Sequence, residues 1–240
     1  VPYADGWIEL DVDDLSSSNT GVFANTSEDS WDHVVPAFNT LAVDCIAAPD
    51  AALLPRVPGL ADNLFQSDGT MTKQEVRAVT VAKLMPMRGA LLWDIGCGCG
   101  SVAIEWMRAA RYARAVGIEP RADRRAMAAA NALALGAPKL ELIDGTVPQA
   151  LEGLEAPDAI FIGGGLSRET FEAAWAALRP LGRLVANAVT LESEAVLLEA
   201  YADYGGELQR ISVETAEPVG PFKGWKPSMP VTQWAWVKKP

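Results

Sequence analysis

One histidine in 240 residues, His33, and only three cysteines leave little material for several common chemistries. A Ser-His-Asp triad in the core is excluded, because the lone imidazole lies in an irregular N-terminal stretch. Cys97 and Cys99 sit too close in one turn to make a structural zinc site, and Cys45 supplies no second pair. The three read as small residues of a reduced, cytoplasmic protein, and no metal is expected. Apolar runs long enough to span a bilayer are missing, as is a signal peptide, so no membrane association is expected. Basic residues are outnumbered, 20 Lys and Arg against 31 Asp and Glu, for a net charge of −11. Such a chain lacks the surface that neutralises phosphates, which argues against a nucleic-acid partner, a local basic patch aside. Half of the residues are hydrophobic, enough for one core plus an extension. The chain opens on Val1 rather than Met, which reads as a piece of a longer polypeptide.

What is present centres on residues 91–100, Leu-Leu-Trp-Asp-Ile-Gly-Cys-Gly-Cys-Gly. An apolar run, Asp94, and three alternate glycines (Gly96, Gly98, Gly100) predict the first strand, turn and helix of a doubly wound α/β sheet. Glycine there lets the backbone approach a ligand that a Cβ would push away. The dinucleotide fingerprint fails, because Ser101 stands where its third glycine belongs. Asp94 is expected at the mouth of the turn, where a carboxylate repels a pyrophosphate. It suits a ligand with a sulfonium and an ammonium, S-adenosylmethionine. Glu119, at the tip of a second strand over 113–119, suits a ribose diol. Loop, strand-end acid and βαβ spacing together predict a methyl-donor site.

Residues 1–36 are acidic and loop-like, 38–46 read as a short strand and 47–60 as a Pro- and Ala-rich linker. An extension over 1–60, either the tail of an upstream domain or a strap over the main one, thus precedes a domain over 61–240. Thr72-Lys73-Gln74-Glu75 has the capping-box pattern: Thr72 caps a helix running to Met85, Glu75 reaches back to its amide, and Pro86 stops it. This puts Thr72 over the donor pocket. Strands over 90–95, 113–119, 140–143, 159–162 and 183–188 alternate with helices over 101–111, 121–135, 169–178 and 192–204. Strands near 208–215 and 232–237 form an antiparallel pair joined by a long loop, 216–230. This is the plan of an α/β, Rossmann-like class I S-adenosylmethionine-dependent methyltransferase, with a seven-stranded, mostly parallel sheet and helices on both faces.

Asp144-Gly145-Thr146 ends the third strand on the same edge as the glycine loop, where it either meets the adenine amino group or is a plain turn. Gly163-Gly164-Gly165 follows the fourth strand, where amino-group methylases carry Asn or an acid, Pro-Pro and an aromatic. Three glycines cannot grip a nitrogen; they leave room for a bulky acceptor. Arg121, Arg124 and Arg125 share the first turn of a helix, where the macrodipole disfavours cations, so they pair with nearby acids or meet an anion. Arg168, Lys223 and Lys226, with Phe222 and Trp225, are either solvated or hold a flat, carboxylate-rich molecule by ion pairing and stacking.

These residues resemble the decarboxylating precorrin methyltransferases of the cobalamin pathway. The likeness runs through Gly69-Thr70-Met71-Thr72-Lys73-Gln74-Glu75-Val76-Arg77, Asp94-Ile95-Gly96-Cys97-Gly98-Cys99-Gly100, Asp144-Gly145-Thr146, Phe161-Ile162-Gly163-Gly164-Gly165 and Pro180-Leu181-Gly182-Arg183. The resemblance implies removal of carbon dioxide from the ring-C acetate of a precorrin and methylation of its carbon 15, in a homotetramer. In two-module relatives an upstream module methylates carbon 5, and 38–46 looks like its end. The same resemblance puts Thr72, Gly96, Cys97, Gly98, Cys99, Gly100, Glu119 and Thr146 on donor-contact positions, although many relatives have Asp where Glu119 stands.

A meso carbon of a reduced tetrapyrrole is enamine-like, so methyl transfer to it needs in-line placement more than a strong base. Decarboxylation needs an acid to create an electron sink, and the sequence does not name it. The rivals are an RNA or protein methyltransferase of the same fold and a non-catalytic donor-binding domain. An NAD-dependent oxidoreductase is opposed by Asp94 and Ser101.

Overall fold

Apolar runs bounded by Gly, Asp and Pro become strands, and the amphipathic stretches between them become helices. The computed structural model describes residues 54–240; the expected strand over 38–46 and most of the 1–60 extension lie outside the described residues. In chain order the elements are α1 (Gln74–Leu84), β1 (Leu91–Ile95), α2 (Ser101–Ala109), β2 (Arg114–Ile118), α3 (Ala122–Ala134), β3 (Glu141–Ile143) and β4 (Ala159–Ile162). They continue with α4 (Arg168–Ala177), β5 (Arg183–Ala188), α5 (Leu191–Tyr204), β6 (Glu207–Ile211), β7 (Glu214–Val219), β8 (Phe222–Pro227) and β9 (Val231–Val237). Seven strands form one sheet in the order β3-β2-β1-β4-β5-β9-β6, parallel except for β9, which runs against both its neighbours.

Strand periodicity decides what covers each face. Leu91, Trp93 and Ile95 of β1 point into a cluster with Phe171 and Ala174 of α4 and Leu197 and Ala200 of α5. Leu92 points the other way, to Val81 and Leu84 of α1 and Val102 and Trp106 of α2. Both faces are therefore dry, which is why β1 and β4 read as continuous apolar runs rather than alternating ones. Beside β9, Phe171, Trp175, Tyr204, Trp234 and Trp236 form an aromatic cluster in which Trp175 and Trp236 stack at 3.7 Å between centroids.

The strands and helices expected over 90–204 are present, each within two residues of its expected ends. Two expectations fail. Thr72 does not cap α1: Lys73 holds the cap position and no side chain bonds the first turn. The Thr72 carbonyl instead accepts from Arg77 Nη1 at 2.6 Å, so an arginine one turn into the helix anchors the segment. The long loop over 216–230 is also wrong. Strands β7 and β8 form a separate two-stranded hairpin, turned at Gly220 and Pro221. Its side chains are largely exposed on both faces, so it lacks the apolar alternation that marks a half-buried strand.

Three non-glycine residues have left-handed backbone, Met85 (φ 53°), Tyr112 (φ 62°) and Leu181 (φ 63°). All three lie in loops at the amino-terminal edge of the parallel strands, and all three expose their side chains. No helix among the described residues is long and apolar enough to cross a membrane.

Candidate functional site

Strand order reverses between β1 and β4, and ligands of open α/β sheets bind at the carboxyl ends of the strands flanking such a switch. The turn leaving β1 is built there. Gly96 N–H and Cys97 N–H both donate to the Ile118 carbonyl, at 2.9 and 3.2 Å, and Gly100 N–H closes on Cys97 O at 2.8 Å. Gly96, Gly98 and Gly100 all have φ between 55° and 78°, a region closed to most side chains. The thiols of Cys97 and Cys99 are buried, and burial pushes the Cys97 thiol far up. A ligand on this loop therefore meets mainly backbone.

Asp94 is not at the mouth of the turn, as its position in the chain suggested, but beneath it. It is 1% exposed, and Oδ2 accepts from Ala103 N–H at 3.0 Å, so the strand-end acid caps α2 where Gly100 supplies no side chain. Its other oxygen, Oδ1, has no hydrogen-bond partner. Burial pushes the carboxyl up to about 7, the Ala103 amide pulls it down, and Glu119 nearby adds to the rise. Glu119 is buried too. It accepts from Gly98 N–H through Oε2 and from Arg121 N–H through Oε1, each at 3.1 Å, so the tip of β2 grips the glycine turn directly.

Asp144, exposed at the end of β3, takes a forked bond from Arg125 at 2.9 and 2.7 Å, and Arg125 also donates to Glu119 O. Arg124 and Arg121 pair with Asp68 and Asp123. All three arginines are thus matched by acids. Gly145 and Thr146 lie in the turn after β3, with Thr146 exposed.

The three glycines after β4 do not simply leave room. A Cβ on Gly163 would come within 2.6 Å of the Phe161 ring, and one on Gly96 would meet the Gly164 backbone at 2.7–2.8 Å. The two loops at the switch point are thus packed backbone on backbone, and only Gly165 faces open space. The cations expected to meet a substrate divide as well. Arg168 is held by Glu172 and Glu199, and Lys226 by Glu217, whereas Lys223 has no acid partner among the described residues. Lys223, Trp225 and Lys226 stand together on β8, and no hydrogen bond or ion pair joins Arg168 to them.

Sequence reasoning missed Arg77, Glu105 and Asn131. Arg77, fully buried on α1, bonds Glu105 Oε1 at 2.6 Å, Asp62 Oδ1 at 3.0 Å and the carbonyls of Leu60 and Thr72, with Phe65 against its guanidinium. Glu105 in turn accepts from the amides of Gly59 and Leu60. The available signal was an acid and a base inside otherwise apolar helical stripes. Together they fasten residues 59–72 as a strap beside the glycine loop, and the Thr70 carbonyl lies 3.7 Å from where a Cβ on Gly98 would stand.

A profile described as the precorrin methyltransferase domain matches residues 63–238, which takes in the glycine loop, Asp94, Glu119 and the strap from residue 63 on. The chain belongs to this family. The precorrin methyltransferase fold found here is similar to the C-terminal domain of precorrin-6Y C5,15-methyltransferase from Rhodobacter capsulatus. That likeness has 46% identity and a TM-score of 0.73, over 77% of this chain and all of that one. A precorrin-6Y C(5,15)-methyltransferase (decarboxylating) of Sinorhizobium sp. is 50% identical over 206 residues, 85% of this chain and 50% of the relative. A probable cobalt-precorrin-6B C(15)-methyltransferase (decarboxylating) of Saccharolobus solfataricus is 35% identical over 62% of this chain and 78% of its own length. The chain spans about half the length of the precorrin-6Y relatives.

Proposed function

We propose that the chain is an S-adenosylmethionine-dependent module that methylates carbon 15 of a precorrin and releases the ring-C acetate carboxyl as carbon dioxide, in cobalamin biosynthesis. The observation that carries this reading is the 96–100 loop, opened by glycine and seated on two buried carboxylates at the switch point. A pyrophosphate there would be repelled by the Glu119 carboxylate, whereas a ligand with a sulfonium and an ammonium meets charge of the right sign. The unpartnered Asp94 Oδ1 is a buried polar atom that a water bridging to the ligand would satisfy. The residues present therefore fit S-adenosylmethionine. When bound, it supplies an electrophilic methyl group on sulfur.

The chain's own part is binding and orientation. Backbone groups of Gly96, Cys97, Gly98, Cys99 and Gly100 would hold the donor's amino-acid end, with Thr72 on the strap above. Glu119 keeps lone pairs beyond those taken by Gly98 and Arg121, enough to accept from a ribose diol. Asp144, Gly145 and Thr146 would border the adenine. On the acceptor side, Gly163 and Gly164 would border the transferred methyl, while Lys223 and Trp225 would take a carboxylate and a ring face of the tetrapyrrole. Arg168 and Lys226 would join only by exchanging their glutamates for substrate carboxylates.

The relatives' names support the acceptor, and their greater length supports an upstream carbon-5 module as a partner in a longer chain. An isolated two-stranded hairpin is marginal in water, and β7–β8 exposes Phe222 and Trp225. Packing of hairpins from several copies, as in a homotetramer, would cover them. A cytoplasmic site agrees with the two buried free thiols. The test is mass spectrometry of a reduced precorrin incubated with the chain and S-adenosylmethionine. Gain of one methyl with loss of carbon dioxide is expected; an unchanged mass while adenosylhomocysteine still binds would overturn the acceptor assignment for this chain alone.

A further inference from the structure

Asn131 on α3 is 2% exposed among apolar neighbours, yet all its bonds go to backbone. Its Oδ1 accepts from Gln66 N–H at 2.8 Å, and its Nδ2 donates to Gln66 O and to Cys99 O, both at 2.9 Å. One side chain thus satisfies both backbone groups of Gln66, as a neighbouring strand would, and also holds a carbonyl of the glycine turn. Among the described residues it is the one side chain bonded at once to the 59–72 strap and to the 96–100 loop.

We propose that Asn131 is a positioning residue of the donor site, setting the distance between the strap and the loop that together wall the pocket. The proposal rests on reading that loop as the donor site. Downstream of Gln66 the strap turns on Asp68, which accepts from Thr70 N–H at 3.0 Å and from Arg124 Nε at 2.9 Å. It ends at Thr72, whose carbonyl Arg77 holds. Gln66 and Thr72 are therefore fixed points, and the stretch between them passes over Gly98. Arg77 fixes its point to α1 and α2 and makes no hydrogen bond to the loop. Asn131 alone refers the strap to the loop itself, so the width of the pocket follows from its geometry.

The test compares Asn131→Asp and Asn131→Ala with the parent protein. The Asp variant keeps the shape and the bond from Gln66 N–H, but loses both donors and turns an oxygen toward two carbonyls. The expectation for both variants is adenosylhomocysteine binding weaker by about tenfold or more in calorimetry, at a stoichiometry still near one. In turnover the donor KM rises while kcat at saturating donor stays within about twofold. A merely structural role would lower the stoichiometry and kcat and leave the dissociation constant alone; that outcome overturns the proposal. Should the variants fail to fold, amide hydrogen exchange of the parent decides: adenosylhomocysteine should protect 66–72 together with 98–103, and protection of the loop alone overturns it. A parent protein that does not bind adenosylhomocysteine overturns the donor reading itself, a failure separate from this one.

Discussion

The backbone of Gly164 lies 2.7–2.8 Å from the point where a Cβ on Gly96 would stand, so the 96–100 loop and the loop after β4 touch with no side chain between them. Sixty-seven residues lie between the two glycines, and the contact joins the loops after β1 and β4 at one corner of the sheet. Gly96→Ala combines a left-handed backbone with a backbone clash, and should destabilise by about 2–4 kcal/mol and abolish donor binding. Gly165→Ala shares the positive φ but faces open space, and should cost only about 1–2 kcal/mol with binding retained. Thermal denaturation and calorimetry on both variants check the contrast.

Asp94 should make stability fall as pH rises. Its folded carboxyl titrates near 7 against an ordinary 3.8, so between those values the folded protein holds a proton that the unfolded chain has released. The stabilisation is complete below about pH 4 and is lost as pH climbs through about 7, amounting to at most on the order of 4 kcal/mol. Asp94→Asn keeps an acceptor for the Ala103 amide and cannot ionise. Denaturant titrations from pH 5 to 8 should show a slope in the parent that the variant lacks.

Glu119→Ala removes the acceptor of the Gly98 amide as well as the expected ribose contact. Adenosylhomocysteine affinity should fall about ten- to a hundredfold. Glu119→Gln should fall less, because one amide bond survives. Unchanged affinity in the Ala variant would remove Glu119 from the donor site.

Arg77 and Glu105 should behave as a unit. Arg77→Met leaves the Glu105 carboxylate buried without its cation, and breaking such a pair costs about 3–5 kcal/mol. Changing both residues to apolar ones of similar volume should cost less than the sum of the single changes, and a double-mutant cycle in urea measures the coupling.

Leu181→Asn should stabilise. The leucine is exposed and left-handed, and Asn tolerates that conformation, for a gain of about 0.5–1 kcal/mol. Its site is at the sheet edge remote from the glycine loop, so donor affinity should not change.

Legibility followed the range of the interactions. The alternation of strands and helices, the glycine turn and Glu119 all rest on local spacing, and residues 91–119 carried them openly. Asp94 was readable as important but not as buried, because its cap on α2 exists only once the helix folds back over the strand. The bonds of Arg77 to Glu105 and of Asn131 to Gln66 and Cys99 span 28 to 65 residues and leave no local pattern. The hairpin β7–β8 was hidden by its exposure, which erased the period-two signal. Net charge, a whole-chain figure, hides an uneven spread. Residues 1–53 hold ten of the 31 acids and none of the bases, so residues 54–240 carry 21 acids against 20 bases. The acidity that argued against nucleic acid therefore belongs almost wholly to the first 53 residues.

The stacked indoles of Trp175 and Trp236, with Trp234 beside them, give the fold an optical handle. Indoles this close couple electronically, and the resulting circular-dichroism couplet disappears when their mutual angle is lost. Strands β6 and β9 are the last to join the sheet along the chain, so this signal follows its closure. Trp93 and Trp106 sit in β1 and α2, the elements that flank the glycine loop in the chain, and report on the other half. Unfolding recorded in the two signals separates a sheet that comes apart in one step from one whose closing edge opens first.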